Sequence, residues 1–288
     1  MTLPAISIVG EEYANQAAEV IAAAFSSSSF TAYLLRDKDS TWPPGQIPTE
    51  VILPHFQESM PKKLKYGGEM VEAGNWAAVA VWFPPGRSIP IDDNADPRVK
   101  DFRDTFAQIK KQHLQGRDYW YLNLIGRHPN RTDAGVVRAL IDPYLKRARE
   151  QGAAVWLEAI TEHGKQVYEH LSFRTVVEIR VGVGKTNSMG EFDENGEGIL
   201  VMKVIIPVDL EDGRHPRIYR VGKGPTAIRF RDDRSSPKDI VRAKKKFGGL
   251  QHRTIGTVPQ LGWVLGPVWI GIVALAIHWR DPEVTCHN

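Results

Sequence analysis

A carboxylate inside an apolar run asks for a chemical reason, and the segment VWLEAIT supplies one in Glu158. Strand alternation turns it to the face opposite Leu157. A buried charge needs either a partner, such as an arginine at the strand end, or a task such as accepting a proton. Further on, Tyr168 lies in QVYEHLSF, as a packing residue or as a hydroxyl that handles a proton. A third feature is the turn RHPNRTDAGVV, where a strand gives way to a helix whose first amides point at whatever lies above them. Such a turn is a ready anion site. Other chemistries fall away. His128, His163 and His170 have no i, i+4 partners suited to a metal, so no metal is expected and His163 stands only as a secondary base. VGVGKT has Ile179 where a phosphate loop needs its first glycine, and it lies between strands. No G-x-S-x-G nucleophile elbow is present.

These residues sit on a strand–helix–strand–helix unit read at Tyr119–Ile125, Ala134–Gln151, Ala154–Ile160 and a short helix ending near Leu171. Upstream, Ala5–Val9 reads as a strand and Glu11–Phe25 as a helix, with Tyr13, Ala17, Val20, Ile21 and Ala24 on one face. A second helix is expected at Thr49–Leu64 and another at Lys100–Leu114. Between them, Glu69–Ala73 and Trp76–Phe83 form a hairpin around a two-residue Gly-Asn turn. The nearly continuous apolar run WAAVAVWF suits a strand covered on both faces. Downstream, Arg174–Gly184 and Ile199–Val208 flank a polar loop. The pattern is α+β, or mixed α/β, with one central sheet.

The chain has 288 residues, 42% hydrophobic and 25% charged, ordinary for a globular protein. Its net charge of +3 is unevenly spread: between Glu211 and Thr257 there are 13 Lys/Arg against 5 Asp/Glu. Residues 1–208 therefore read as the globular domain, 209–257 as a basic, poorly ordered linker and 258–288 as a hydrophobic terminal segment. The single cysteine, Cys286, excludes an internal disulfide and suits a reducing, intracellular and cytoplasmic setting. The start, MTLPAISIVGEEY, does not resemble a signal peptide. Leu261–Trp279 has no Asp, Glu, Lys or Arg over 19 residues, against the ~20 that span a bilayer. The tail reads equally as a membrane anchor, with the membrane as its partner and the basic stretch on the inner side, as a soluble amphipathic segment interrupted at Pro267, or as a non-native extension. A basic run is more often solvated than bound, and nucleic acid is not the expected partner.

The strand WYLNLIG, the following HP, the helix ending ALIDPYL, the LEA strand and the closing YEHLSF together resemble the GNAT acyltransferase superfamily, in its puromycin N-acetyltransferase-like branch. AVAVWFPPG resembles that family's preceding strand and its exit. The resemblance implies a twisted, mostly antiparallel sheet flanked by helices, with acetyl-CoA as cosubstrate and a small-molecule amine as partner. In that family the central strand splays from its neighbour, and the pantetheine arm adds to the sheet as an extra strand. The splay would lie at Leu124–Arg127, with Ile125 and Arg127 beside the coenzyme. The pyrophosphate turn would be Thr132, Asp133, Ala134, Gly135, Val136 and Val137. Of the family's Q/R-x-x-G-x-G/A only Gly135 is retained. Asp133 brings a carboxylate to two phosphates, a repulsion on the order of 1–3 kcal/mol, which Arg127, Arg131 and Arg138 would offset; Asp133 would also serve as a helix cap. The resemblance assigns Glu158 as the base acting on the amine through water and Tyr168 as the acid for the departing thiolate. Phe25–Pro48, Arg87–Pro97 and Lys185–Gly198 would build the acceptor pocket. The competing expectation is a non-catalytic binding protein of the same fold, membrane-tethered if the tail is an anchor, with a degenerate turn.

Overall fold

The computed structural model describes residues 2–90 and 95–207, and the backbone of three short strands beyond them. In chain order these are β1 (Ile6–Val9), a 3-10 turn (Glu11–Tyr13), α1 (Ala14–Phe25), α2 (Ser29–Leu35), α3 (Thr49–Lys65), β2 (Glu69–Ala73) and β3 (Ala78–Phe83). Then come α4 (Pro97–Leu114), β4 (Tyr119–Arg127), α5 (Val136–Glu150), β5 (Ala154–Ala159), α6 (Glu162–His170), β6 (Phe173–Val181) and β7 (Ile199–Pro207). The short strands are β8 (Tyr219–Val221), β9 (Ile228–Phe230) and β10 (Leu275–Ala276).

Local chemistry explains most boundaries. Ser28 starts α2 by accepting a bond from the Thr31 amide at 3.1 Å. Asp96 caps α4, and Pro97 follows where a missing N–H costs nothing. Thr161 caps α6 through the Gly164 amide. The β2–β3 connection is longer than the Gly-Asn pair expected. Ala73 pairs with Ala78, and Gly74, Asn75 and Trp76 all have positive φ. Trp76 thus belongs to the turn, its amide held by the Glu72 carboxylate at 2.9 Å.

The strand order is β1-β2-β3-β4-β5-β7-β6-β8-β9, with β10 on β4. Every pairing is antiparallel except β4–β5, β6–β8 and β10–β4, so the expected sheet and element order are found. Helices α1 to α4 pack on one face and α5 and α6 on the other, each over its own apolar cluster. All six residues of β3 are buried. On the α5 face Trp82 stacks on Tyr144 with ring centres 4.5 Å apart and donates to the Leu140 carbonyl at 3.1 Å. On the other face α1 lies close enough to β4 that a Cβ on Gly126 would stand 2.7 Å from that of Ala24.

Two features of β4 shape the surfaces on either side of the sheet. Against β3 the register jumps, with Val81 opposite Leu124 and Trp82 opposite Leu122. Asn123 is therefore one residue too many, a β-bulge. Against β5 the ladder runs only from Tyr119–Ala154 to Tyr121–Trp156, so the two strands part from Leu122 onward, earlier than Leu124.

Among the described residues no single helix is long and apolar enough to cross a membrane. Most of the basic stretch, and residues 261–279 apart from Leu275 and Ala276, lie outside the described residues.

Candidate active site

Glu158 is fully buried in β5 and is held by three donors. The Trp156 indole reaches one carboxylate oxygen at 2.7 Å and the Tyr121 hydroxyl the other at 2.7 Å. Lys110 of α4 approaches to 3.6 Å, so the partner is a lysine where an arginine was the expectation. Tyr121 is driven well above its usual range, first by burial and then by the Glu158 charge. It therefore keeps its proton and donates it. Burial lowers Lys110, and Glu158 acts in the opposite sense.

Tyr121, Asn123 and Lys110 open onto a cavity of about 620 Å³ between α4, β4 and residues 86–90. Phe83, Phe102, Phe106 and Tyr119 supply its apolar wall. Among the described residues of the three segments expected to build an acceptor pocket, only Ser88, Ile89 and Pro90 line it; α4 provides the opposite wall. The loop after β6 packs on α2 instead: a Cβ on Gly190 would collide with the Ser29 carbonyl.

On the other face, Arg127, Asp133, Ala134, Gly135, Val136, Val137 and His163 surround a second cavity, of about 550 Å³. It lies between the start of α5 and α6. Gly135 occupies the N-cap position with φ 78°, and no side chain caps the helix. Asp133 is not the cap expected from its type. Its carboxylate is clamped by Arg131 through two bonds of 2.8 and 2.9 Å, and Arg131 also grips the Gly74 and Asn75 carbonyls. Arg131 holds the Asp133 carboxyl below the usual carboxylate range. The acid is thus tied toward the β2–β3 turn, and the first amides of α5 carry no side-chain cap. Thr132 is exposed and does not line this cavity. Nor does the side chain of Ile125, which is core. His163 stands here, away from the cavity of Tyr121.

Tyr168 of α6 is fully buried against Phe173, and its hydroxyl has no hydrogen-bond partner among the described residues. Burial raises its pKa, with the Glu158 charge as the second cause, which keeps it a proton donor. An unsatisfied buried hydroxyl costs about 1–3 kcal/mol.

The opening between β4 and β5 carries one more element. β3 already holds one edge of β4, so β10 must lie on the β5 side, where Leu275 and Ala276 run parallel to Ile125 and Gly126.

The structure therefore gathers Arg127 and Asp133–Val137 at one cavity, sets Glu158 behind the other, and leaves Tyr168 in the core against Phe173. Sequence reasoning missed Tyr121, Trp156, Lys110 and Asn123. Alternation within YWYLN put Tyr119, Tyr121 and Asn123 on one face, which was a usable signal for three of the pocket residues.

The YOR012W acetyltransferase domain matches residues 12–88 of this chain. The Saccharomyces cerevisiae protein YDR391C, itself uncharacterized, is 32% identical over 68% of this chain and 84% of its own length. A Schizosaccharomyces pombe protein named as an uncharacterized N-acetyltransferase, C550.08, is 25% identical over 37% of this chain and 51% of its own. An acetyltransferase from Corynebacterium glutamicum, described as related to histone acetyltransferase HPA2, is similar in structure at TM-score 0.48 and 17% identity, over 72% of this chain and 97% of that one. With a relative matched over most of its length, an acetyltransferase domain matched from α1 through β3, and a sheet that opens between β4 and β5 above the start of α5, the chain belongs to the GNAT acyltransferase superfamily.

Proposed function

We propose that the chain transfers the acetyl group of acetyl-CoA to a primary amine of a small molecule, directly within a ternary complex. The observation that carries this reading is the pair of cavities on opposite faces of the sheet, with the β4–β5 opening between them. A thioester entering from the α5 side would seat its phosphates on the amides at Gly135–Val137 and lay its arm along β4. An amine would enter from the α4 side.

Bound as an ammonium, the amine first loses one proton to Glu158 through the Tyr121 hydroxyl, which lines the cavity and already donates to that carboxylate. The neutral nitrogen attacks the thioester carbon. Main-chain amides near Ile125–Arg127 stabilise the charge on its oxygen. As the C–N bond forms the C–S bond breaks, the sulfur takes the Tyr168 proton, and the tyrosine recovers one from the new amide nitrogen. Products are the acetylated amine, free thiol and one released proton.

The test is calorimetric titration of the full chain with acetyl-CoA, followed by thiol release with a panel of primary amines. Saturable binding and amine-dependent thiol release are expected; absence of binding at millimolar acetyl-CoA sinks the proposal. A non-catalytic reading draws on β10, which lies along the strand that the arm would use. Binding without turnover on any amine would favour it.

A further inference from the structure

We propose that the acceptor carries, besides its amine, an anionic group, carboxylate or phosphoryl, that is received by Arg103 in the α4-side cavity. The inference rests on reading that cavity as the acceptor site. Among the described residues its wall contains Arg103, Lys110, Lys111 and Arg117 against a single carboxylate, Asp118. Lys110 is matched by Glu158 behind it. Arg103, on the same helix two turns earlier, gives one N–H to the Ile89 carbonyl at 2.8 Å. Among the described residues no carboxylate lies within ion-pair distance of its guanidinium.

The charge is partly withdrawn from solvent. Burial lowers Arg103 from its ordinary value, and the Arg103 charge in turn depresses Lys110 and the fully buried Lys63. A guanidinium has five donors in a planar fork, and one carbonyl satisfies only part of it. A dication such as a polyamine would enter a positive field here. An amine with an acidic end would place each end on its opposite charge, the ammonium toward Tyr121 and Glu158 and the anion on Arg103. The aromatic wall fits a flat or aliphatic spacer between the two. Asp92 and Asp93, which follow Ile89 in the sequence, lie outside the described residues. A carboxylate from either on Arg103 is the competing arrangement, and it removes the preference for an acidic acceptor.

The experiment compares near-isosteric acceptors on the full chain: 4-(aminomethyl)benzoate and its phosphonate analogue against 4-(aminomethyl)benzamide and 4-methylbenzylamine. The readout is thiol release from acetyl-CoA. We expect kcat/KM for one of the acids to exceed that of the amide by about tenfold or more, the scale of one charge-assisted contact. Which acid leads identifies the anion. In Arg103→Gln the ratio collapses to within about twofold of unity, while Arg103→Lys recovers part of it. Equal or better use of the neutral amines, or an unchanged ratio in Arg103→Gln, overturns the inference while leaving the transferase reading intact. If no amine is acetylated, thermal shift decides the binding question alone. Stabilisation by an acid and not by the amide, lost in Arg103→Gln, supports the site; equal shifts refute it.

Discussion

Glu158 answers to three neighbours at once, accepting from Tyr121 and Trp156 while balancing the charge of Lys110. Glu158→Gln removes the proton acceptor and also strands a buried lysine, for which a loss of about 3–5 kcal/mol is the typical scale. The double variant Lys110→Met, Glu158→Gln should recover most of the melting temperature but none of the turnover. Recovery of both would make Glu158 purely structural. Tyr168→Phe deletes only a hydroxyl that has no protein partner among the described residues, so stability should hold or rise. Turnover should fall by about 10²-fold or more, with acetyl-CoA affinity by calorimetry nearly unchanged. An unaltered rate removes Tyr168 from the chemistry. Glu158 and Tyr168 were visible in the sequence because a charge in an apolar strand and a tyrosine in YEHLSF are conspicuous. Lys110 and Arg103 were not. On an amphipathic helix a cation normally faces water, and only the residues brought opposite by tertiary packing show that these two face a cavity.

At the scale of elements, the start of α5 is set by a backbone state and not by a side chain. Gly135→Ala forces a left-handed residue at the cap, costing about 1–2 kcal/mol, and it also brings a Cβ to 3.2 Å from Leu3. We expect weaker acetyl-CoA binding with only a small drop in melting temperature; unchanged affinity would place the pyrophosphate elsewhere. Helix α3 carries a different signature. Burial pushes Lys63 down to about 7, with Arg103 as second cause, so from pH 7 up to its ordinary 10.5 the unfolded chain holds a proton that the folded one lacks. Stability should therefore rise as pH climbs through that window. His55, pushed down to about 4 by burial and then by Lys63, acts in the acid range, where stability falls as pH drops from 6.5 toward 4. Melting curves across pH check both, and Lys63→Met should flatten the alkaline rise. Element order was readable from periodicity and breakers throughout residues 2–207. The β2–β3 turn was misjudged, because Gly-Asn signals a tight turn while the Glu72 bond to the Trp76 amide draws two further residues into it.

Over the described residues the sheet is a partition with a cavity on each side, and β10 lies along β4 where that strand has parted from β5. A thioester arm that augments β4 has to take the place of Leu275 and Ala276. Replacing both with proline, which cannot donate to a ladder, should tighten acetyl-CoA binding in the full chain; weaker binding would mean that β10 supports the site. The apolar content of residues 261–279 was plain in the sequence, but no period-two pattern announced a strand there. The pairing with β4 depends on a gap that only the assembled sheet creates. The bulge at Asn123 has a further consequence. In an unbroken strand, Tyr119, Tyr121, Ile125 and Arg127 would share one side. The extra residue inverts the parity of everything after it, so Tyr121 looks into one cavity while Ile125 joins the core under α5 and Arg127 lines the other cavity. β4 is in effect two half-strands of opposite phase. Drawing Asn123 into a regular ladder would turn Arg127 to the wrong side of the partition, whereas deleting it would leave Leu124–Arg127 in their present register and take away only a residue that lines the α4-side cavity.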